Sequence, residues 1–164
     1  DTVGEEEFAA LLTEYKAWYQ AHNCIKTRPY PGIPELLDRL RKSGVQVAIV
    51  SNKPDPTTKA LAQKFFPGVP AFGQRDDLPP KPAPDLVLHA LAVLDCPRES
   101  AIYVGDSEVD VLTAHNAAVP CLSVLWGFRD RAEIQAAGES RFCETPAQMP
   151  AMLEEMMKEL NNGQ

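Results

Sequence analysis

Short apolar runs alternating with helix-length segments predict an α/β fold with a doubly wound parallel sheet. The runs cover residues 45–50, 101–104 and 121–125, each too short for a buried helix, and the first is rich in Val and Ile. The segments between them are long enough for the crossover helices that parallel strands require. Fifteen prolines punctuate element starts and loops and stay out of these runs.

Taken in order, the first segment is a helix. Phe8, Leu11, Leu12, Tyr15, Trp18 and Tyr19 recur at helical spacing, and Glu5 to Glu7 suit the positive end of its dipole. The aromatic stripe is expected to be a packing face. Tyr30-Pro31-Gly32 breaks the chain, and Pro34 opens a helix carrying Ile33, Leu36, Leu37 and Leu40 that Gly44 stops. The strand at 45–50 ends at Ser51-Asn52-Lys53-Pro54. A helix over 57–65 leads into a connection through Pro79-Pro80-Lys81-Pro82, then a helix with Leu86, Leu88, Leu91, Ala92 and Leu94. The strand at 101–104 turns at Gly105-Asp106 into a helix over 107–118. After the strand at 121–125, helices are expected near Ala132 and over 146–160. There is no internal repeat and no low-complexity stretch.

Composition narrows the function classes. The chain has 164 residues, 45% hydrophobic and 24% charged, which suits one domain with a real core. No run of 18 apolar residues is present, so no transmembrane helix is expected. Sixteen basic against 23 acidic residues give a net charge of −7, which disfavours nucleic acid and anionic membrane as partners. Residues 1–7 are acidic and lack the basic and apolar regions of a secretory signal, which points to the cytoplasm. Cys24, Cys96, Cys121 and Cys143 are scattered without a CxxC pair and are expected to be reduced. The sequence carries no sign of oligomeric state.

Ligands of an open parallel sheet bind outside the carboxyl ends of its strands. That edge collects Ser51 and Asn52 after the first run, Gly105, Asp106 and Ser107 after the second, and Trp126 to Arg129 after the third. Lys81 lies in a loop able to reach them. A hydroxyl, an ammonium and a carboxylate together suit a phosphate and a divalent cation. Each has a plainer reading: Ser51-Asn52 as a turn, Lys81 as a solvated loop residue, Ser107 to Asp110 as a capping box. Their order along the strand–helix frame is the specific feature.

In that order, Ser51-Asn52-Lys53, Lys81-Pro82 and Gly105-Asp106-Ser107-Glu108-Val109-Asp110 resemble motifs II, III and IV of the haloacid dehalogenase superfamily. Tyr30-Pro31-Gly32-Ile33-Pro34-Glu35-Leu36-Leu37, Lys81-Pro82-Ala83-Pro84-Asp85 and Trp126-Gly127-Phe128-Arg129 resemble its phosphoglycolate phosphatase branch. The resemblance implies a Rossmann-like core over residues 30–164 and the C-terminal part of a helical cap over 1–29. It implies a magnesium-dependent phosphomonoester hydrolase that acts on a small phosphorylated metabolite through an aspartyl-phosphate. Ser51 would hydrogen-bond the transferring phosphoryl group, with the Asn52 backbone assisting and Lys53 beside them. Lys81 would stabilise its charge, Asp106 would ligate Mg2+, and Asp110 would support the metal directly or through a neighbour. The metal signature speaks against a dehalogenase; a phosphosugar mutase stays open.

One departure has large consequences. The DxDGT motif, which in the superfamily ends the first strand and carries the nucleophile, occurs nowhere in the 164 residues, and Asp1-Thr2-Val3-Gly4 does not replace it. A core without that strand is expected to leave its two neighbours unpaired. The chain is then either part of a longer enzyme or a non-catalytic phosphate-binding or interaction module on the same scaffold.

Overall fold

The computed structural model describes residues 4–162; the reading of Asp1, Thr2 and Val3 lies outside the described residues, as do 163 and 164. In chain order the elements are α1 (Glu5–His22), α2 (Ile33–Lys42), β1 (Ile49–Pro54), α3 (Asp55–Phe65), β2 (Ala71–Gln74), α4 (Asp85–Val93), β3 (Tyr103–Gly105), α5 (Glu108–Ala117), β4 (Cys121–Val124), α6 (Arg131–Ala136), β5 (Phe142–Cys143) and α7 (Met149–Asn162). A 3-10 turn at Arg98–Ser100 precedes β3. Every strand pair is parallel. The α/β class is therefore the observed one. No helix among the described residues is long and apolar enough to cross a membrane.

The sheet is divided. β1 pairs with β2 in a two-stranded sheet, and β3, β4 and β5 form a three-stranded one in that order. Ladder bonds between β1 and β3 are absent among the described residues, although Val50 of β1 and Tyr103 of β3 pack on the same cluster of Val87, Ala117 and Val119. The larger core lies on the other half, where Leu122 and Val124 of β4 and Cys143 of β5 meet Leu36 of α2 and Met149, Leu153 and Met156 of α7.

Several sequence expectations need correction. The first apolar run is placed at 45–50, but β1 begins at Ile49 and continues through Pro54. Residues 45–48 have no neighbouring strand to pair with, so apolar character alone does not make them a ladder. β2 and β5 have no counterpart in the sequence pattern, since at four and two residues they carry too little of it to register. The aromatic stripe of α1 is not a packing face here. That helix buries no residue, and Phe8, Leu11, Tyr15 and Trp18 are all exposed. The final helix starts at Met149 rather than 146. A full capping box opens α6, where Asp130 accepts from the Glu133 amide at 2.9 Å and Glu133 accepts from the Asp130 amide at 3.2 Å.

Leu122 is fully buried at the centre of the three-stranded sheet, whereas Leu112 on α5 is 41% exposed. Leu122→Ala should cost about 3 kcal/mol in urea unfolding. Leu112→Ala should stay within about 0.5 kcal/mol of the parent.

Candidate functional site

The site is built on an irregularity in β1. From Val50 to Pro54 the strand advances four residues while its partner advances two, from Phe72 to Gln74. Ser51, Asn52 and Lys53 occupy that bulge, the kind of local break that re-aims side chains at strand ends. Asn52 uses it to reach the loop before α4. Its Nδ2 donates to the Lys81 carbonyl at 3.1 Å, and the Lys81 amide donates to Asn52 Oδ1 at 2.9 Å. Ser51 Oγ accepts from the Lys53 amide at 3.1 Å; both Ser51 and Asn52 lie within β1, so the plainer reading of Ser51-Asn52 as a turn is not the observed one. Lys53 itself is exposed, and among the described residues its ammonium makes no ion pair.

Lys81 and Asp110 form the centre. The ammonium lies 2.7 Å from Asp110 Oδ1, with the two side chains only 12% and 9% exposed. Tyr103, at the head of β3, joins them: its hydroxyl accepts from Lys81 Nζ at 3.1 Å and donates to Asp110 Oδ1 at 3.0 Å. The other oxygen, Oδ2, accepts from Ser107 Oγ at 2.7 Å and from the Asp106 amide at 3.1 Å. Burial alone would push the Asp110 carboxyl up, but the Lys81 charge and these hydrogen bonds hold it below the usual carboxylate range. Burial, and then the Asp110 charge, raise the Tyr103 phenol, which keeps it a protonated donor. The Ser107 cap forms through its hydroxyl accepting from the Asp110 amide at 3.4 Å. The acid of this expected capping box bonds the serine hydroxyl instead of its amide.

Two glycines make the packing possible. A methyl group at Gly105 would collide with the Asp110 side chain, and one at Gly127 would collide with that of Asp106. The loop after β4 is thereby fastened over Asp106, whose Oδ2 accepts from the Phe128 amide at 2.9 Å and whose carbonyl accepts from the Arg129 amide at 3.2 Å. Arg129 closes the loop with a bidentate pair to Glu108, at 2.9 and 3.0 Å. The Arg129 hydrogen bond lowers the Glu108 carboxyl below its ordinary value.

Of the residues singled out in the sequence, Asn52, Lys81, Ser107 and Asp110 are thus joined in one bonded network, with Asp106 entering it through its backbone amide. Ser51 stands beside Asn52 on the bulge, and Lys53 is not drawn in. Two members escaped the sequence reading. Tyr103 passes for an ordinary strand residue, and Asn116, whose Nδ2 donates to the Pro82 carbonyl at 2.9 Å, for an ordinary helix residue. Both bond with residues distant in sequence, so no local spacing marks them.

The donor set bears on a metal. Among the described residues no three His, Cys, Asp or Glu side chains converge on one point. Both oxygens of Asp110 are occupied by protein donors, while Asp106 commits only Oδ2. One carboxylate oxygen fits Mg2+, which is commonly held by one or two carboxylates with phosphate oxygens and water.

Removing one partner of a buried pair leaves a charge stranded. Lys81→Met should lower stability at neutral pH by about 3 kcal/mol in urea unfolding. Because the folded Asp110 carboxyl is depressed, this contribution is complete above the unfolded value of about 3.9. It is lost as pH falls through the folded value, so the difference between parent and variant should close in acid. Gly105→Ala should destabilise the fold as well, with the Asp110 hydrogen bonds disrupted in the NMR spectrum.

The chain is similar to several known proteins. Phosphoglycolate phosphatase 1 of Pseudomonas aeruginosa is 33% identical over 134 residues, which is 78% of this chain and 48% of that protein. The phosphoglycolate phosphatase of Rhodobacter capsulatus is 41% identical over 127 residues, 74% of this chain and 54% of that protein. A crystal structure from Lactobacillus delbrueckii subsp. bulgaricus, of a protein assigned as a phosphoglycolate phosphatase, superposes with a TM-score of 0.83 at 38% identity, covering 90% of this chain and 62% of that one. The chain spans about half the length of these two curated relatives. With the sequence profile of haloacid dehalogenase-like hydrolases matching residues 2–124, the chain belongs to that family.

Proposed function

We propose that this chain supplies the phosphoryl-binding half of a magnesium-dependent phosphomonoesterase. The observation that carries the reading is the buried Lys81–Asp110 pair, held beside Ser51 and Asn52 at one strand end and Asp106 at another. Ser51 and the Asn52 backbone N–H bind the phosphoryl oxygens, with Lys53 beside them. Lys81 balances the charge that gathers on them as the ester bond loosens, which is where phosphoryl transfer needs its stabilisation. Asp110 and Tyr103 keep the ammonium oriented toward that position. Asp106 is the carboxylate that would hold Mg2+, with Asp110 supporting it through Ser107 and the Asp106 amide. When bound, the metal would neutralise phosphate charge. The attacking carboxylate of an aspartyl-phosphate route comes from residues these 164 do not include, and so does the strand that would join the two half-sheets. Residues 1–29 then belong to the C-terminal part of a helical cap.

The names of the relatives favour phosphoglycolate or another small phosphorylated metabolite as substrate. A net charge of −7 disfavours nucleic acid as a partner. A second reading has one observation in its favour. Every carboxylate oxygen of Asp110 is bonded to the protein, and the described residues offer no third ligand nearby. Alone, this chain would then bind phosphate without turnover.

Two measurements test these readings. In the intact protein from its own host, Asp106→Asn should lower magnesium-dependent phosphate release at least about 100-fold while the circular dichroism spectrum is kept. Near-normal release in that variant would remove Asp106 from the metal site. For the 164-residue chain, magnesium with beryllofluoride should move the thermal midpoint by less than about 2 °C. A larger shift would mean that this chain holds an acceptor carboxylate after all.

A further inference from the structure

Lys81 carries the buried positive charge of the site, yet it stands in a proline-rich turn outside any helix or strand. Three bonds from two asparagine side chains set its place. The Asn52 amide pairs with both backbone groups of Lys81, accepting from its N–H at 2.9 Å and donating to its carbonyl at 3.1 Å. Asn116 donates to the carbonyl of the next residue, Pro82, at 2.9 Å. Asn52 lies on β1 of the two-stranded sheet, while Asn116 lies on α5, between β3 and β4 of the three-stranded one. The loop is therefore fastened to both halves of a sheet that, among the described residues, has no ladder between them.

We propose that Asn52 and Asn116 are positioning residues for Lys81, fixing its backbone so that the ammonium meets Asp110 and Tyr103 across the divided sheet. Residue type supports this. A side-chain amide alone offers an acceptor and a donor side by side; aspartate could accept from the Lys81 N–H but could not donate to its carbonyl. The role of Asn52 is thus carried by its side chain, in addition to the phosphate-binding role given to its backbone. What the positioning does for catalysis rests on the phosphatase reading; the positioning itself does not.

NMR of the 15N-labelled 164-residue chain tests it with two signals. One is hydrogen exchange at the Lys81 amide, and the other is the Lys81 ammonium cross-peak, visible only where that group is held. Asn52→Ala should speed Lys81 amide exchange about tenfold and broaden the ammonium peak. Exchange at Leu122, in the sheet core, should not change. Asn52→Asp, which keeps the acceptor, should bring Lys81 amide exchange back to within about threefold of the parent. Asn116→Ala should broaden the ammonium peak with Asn52 intact, and it carries the test alone if Asn52→Ala does not fold. An unchanged ammonium peak in both alanine variants, or none in the parent, would overturn the proposal. Neither signal depends on turnover, so loss of the phosphatase reading and loss of this one are separate results.

Discussion

The ion pair between Lys81 and Asp110 organises this molecule because it is buried and spans the gap between two half-sheets. Desolvating an ammonium and a carboxylate costs several kcal/mol each, and their attraction compensates only when the geometry is good and the remaining valences are filled. Here they are filled: Asp110 accepts from Lys81 and Tyr103 on one oxygen and from Ser107 and the Asp106 amide on the other. That requirement reaches outward. It fixes Gly105, since no side chain fits between β3 and Asp110, and it recruits two asparagines to hold a loop with no regular structure.

A pair so fully satisfied holds the Lys81 ammonium in one orientation. Phosphoryl transfer gains most from charge that is oriented before the substrate arrives, because nothing then has to reorganise as the transition state forms. A solvated lysine on the same loop would have to lose water and rotamer freedom at that moment. Asp110 is thus better described as the holder of Lys81 than as a free carboxylate. Asp106, with one oxygen committed to the Phe128 amide, is the carboxylate that would face a cation in the proposed reading.

Much of this was legible in the residues. The strand–helix alternation gave the fold class, and Lys81, Asp106 and Asp110 stood out by their order. The failures have physical causes. β5 is two residues long, so its membership in the sheet is decided by its neighbours and not by its own pattern. Residues 45–48 have the composition of a strand, but a strand exists only where a partner accepts its hydrogen bonds. Tyr103 and Asn116 bond with residues far away in sequence, and no local period announces such a contact. The bulge at Ser51 to Lys53 is hidden for the same reason, since it is defined only against β2.

The divided sheet and the bulge together show how the site survives without a continuous ladder. Backbone hydrogen bonds would ordinarily hold adjacent strand ends in register, and here that register is supplied by side chains. Asn52 ties β1 to the Lys81 loop, Asn116 ties that loop to α5, and Lys81 ties it to Asp110 and Tyr103. The apolar floor of Val87, Ala117 and Val119 keeps Val50 and Tyr103 on one surface beneath them. Side-chain bonds of this kind contribute roughly 1 kcal/mol each, less than a cooperative ladder. The alignment of the two halves should therefore be the softest coordinate of the fold, and Lys81 sits on it. A strand entering between β1 and β3 would stiffen that coordinate and the orientation of the ammonium in one step, coupling completion of the sheet to completion of the site.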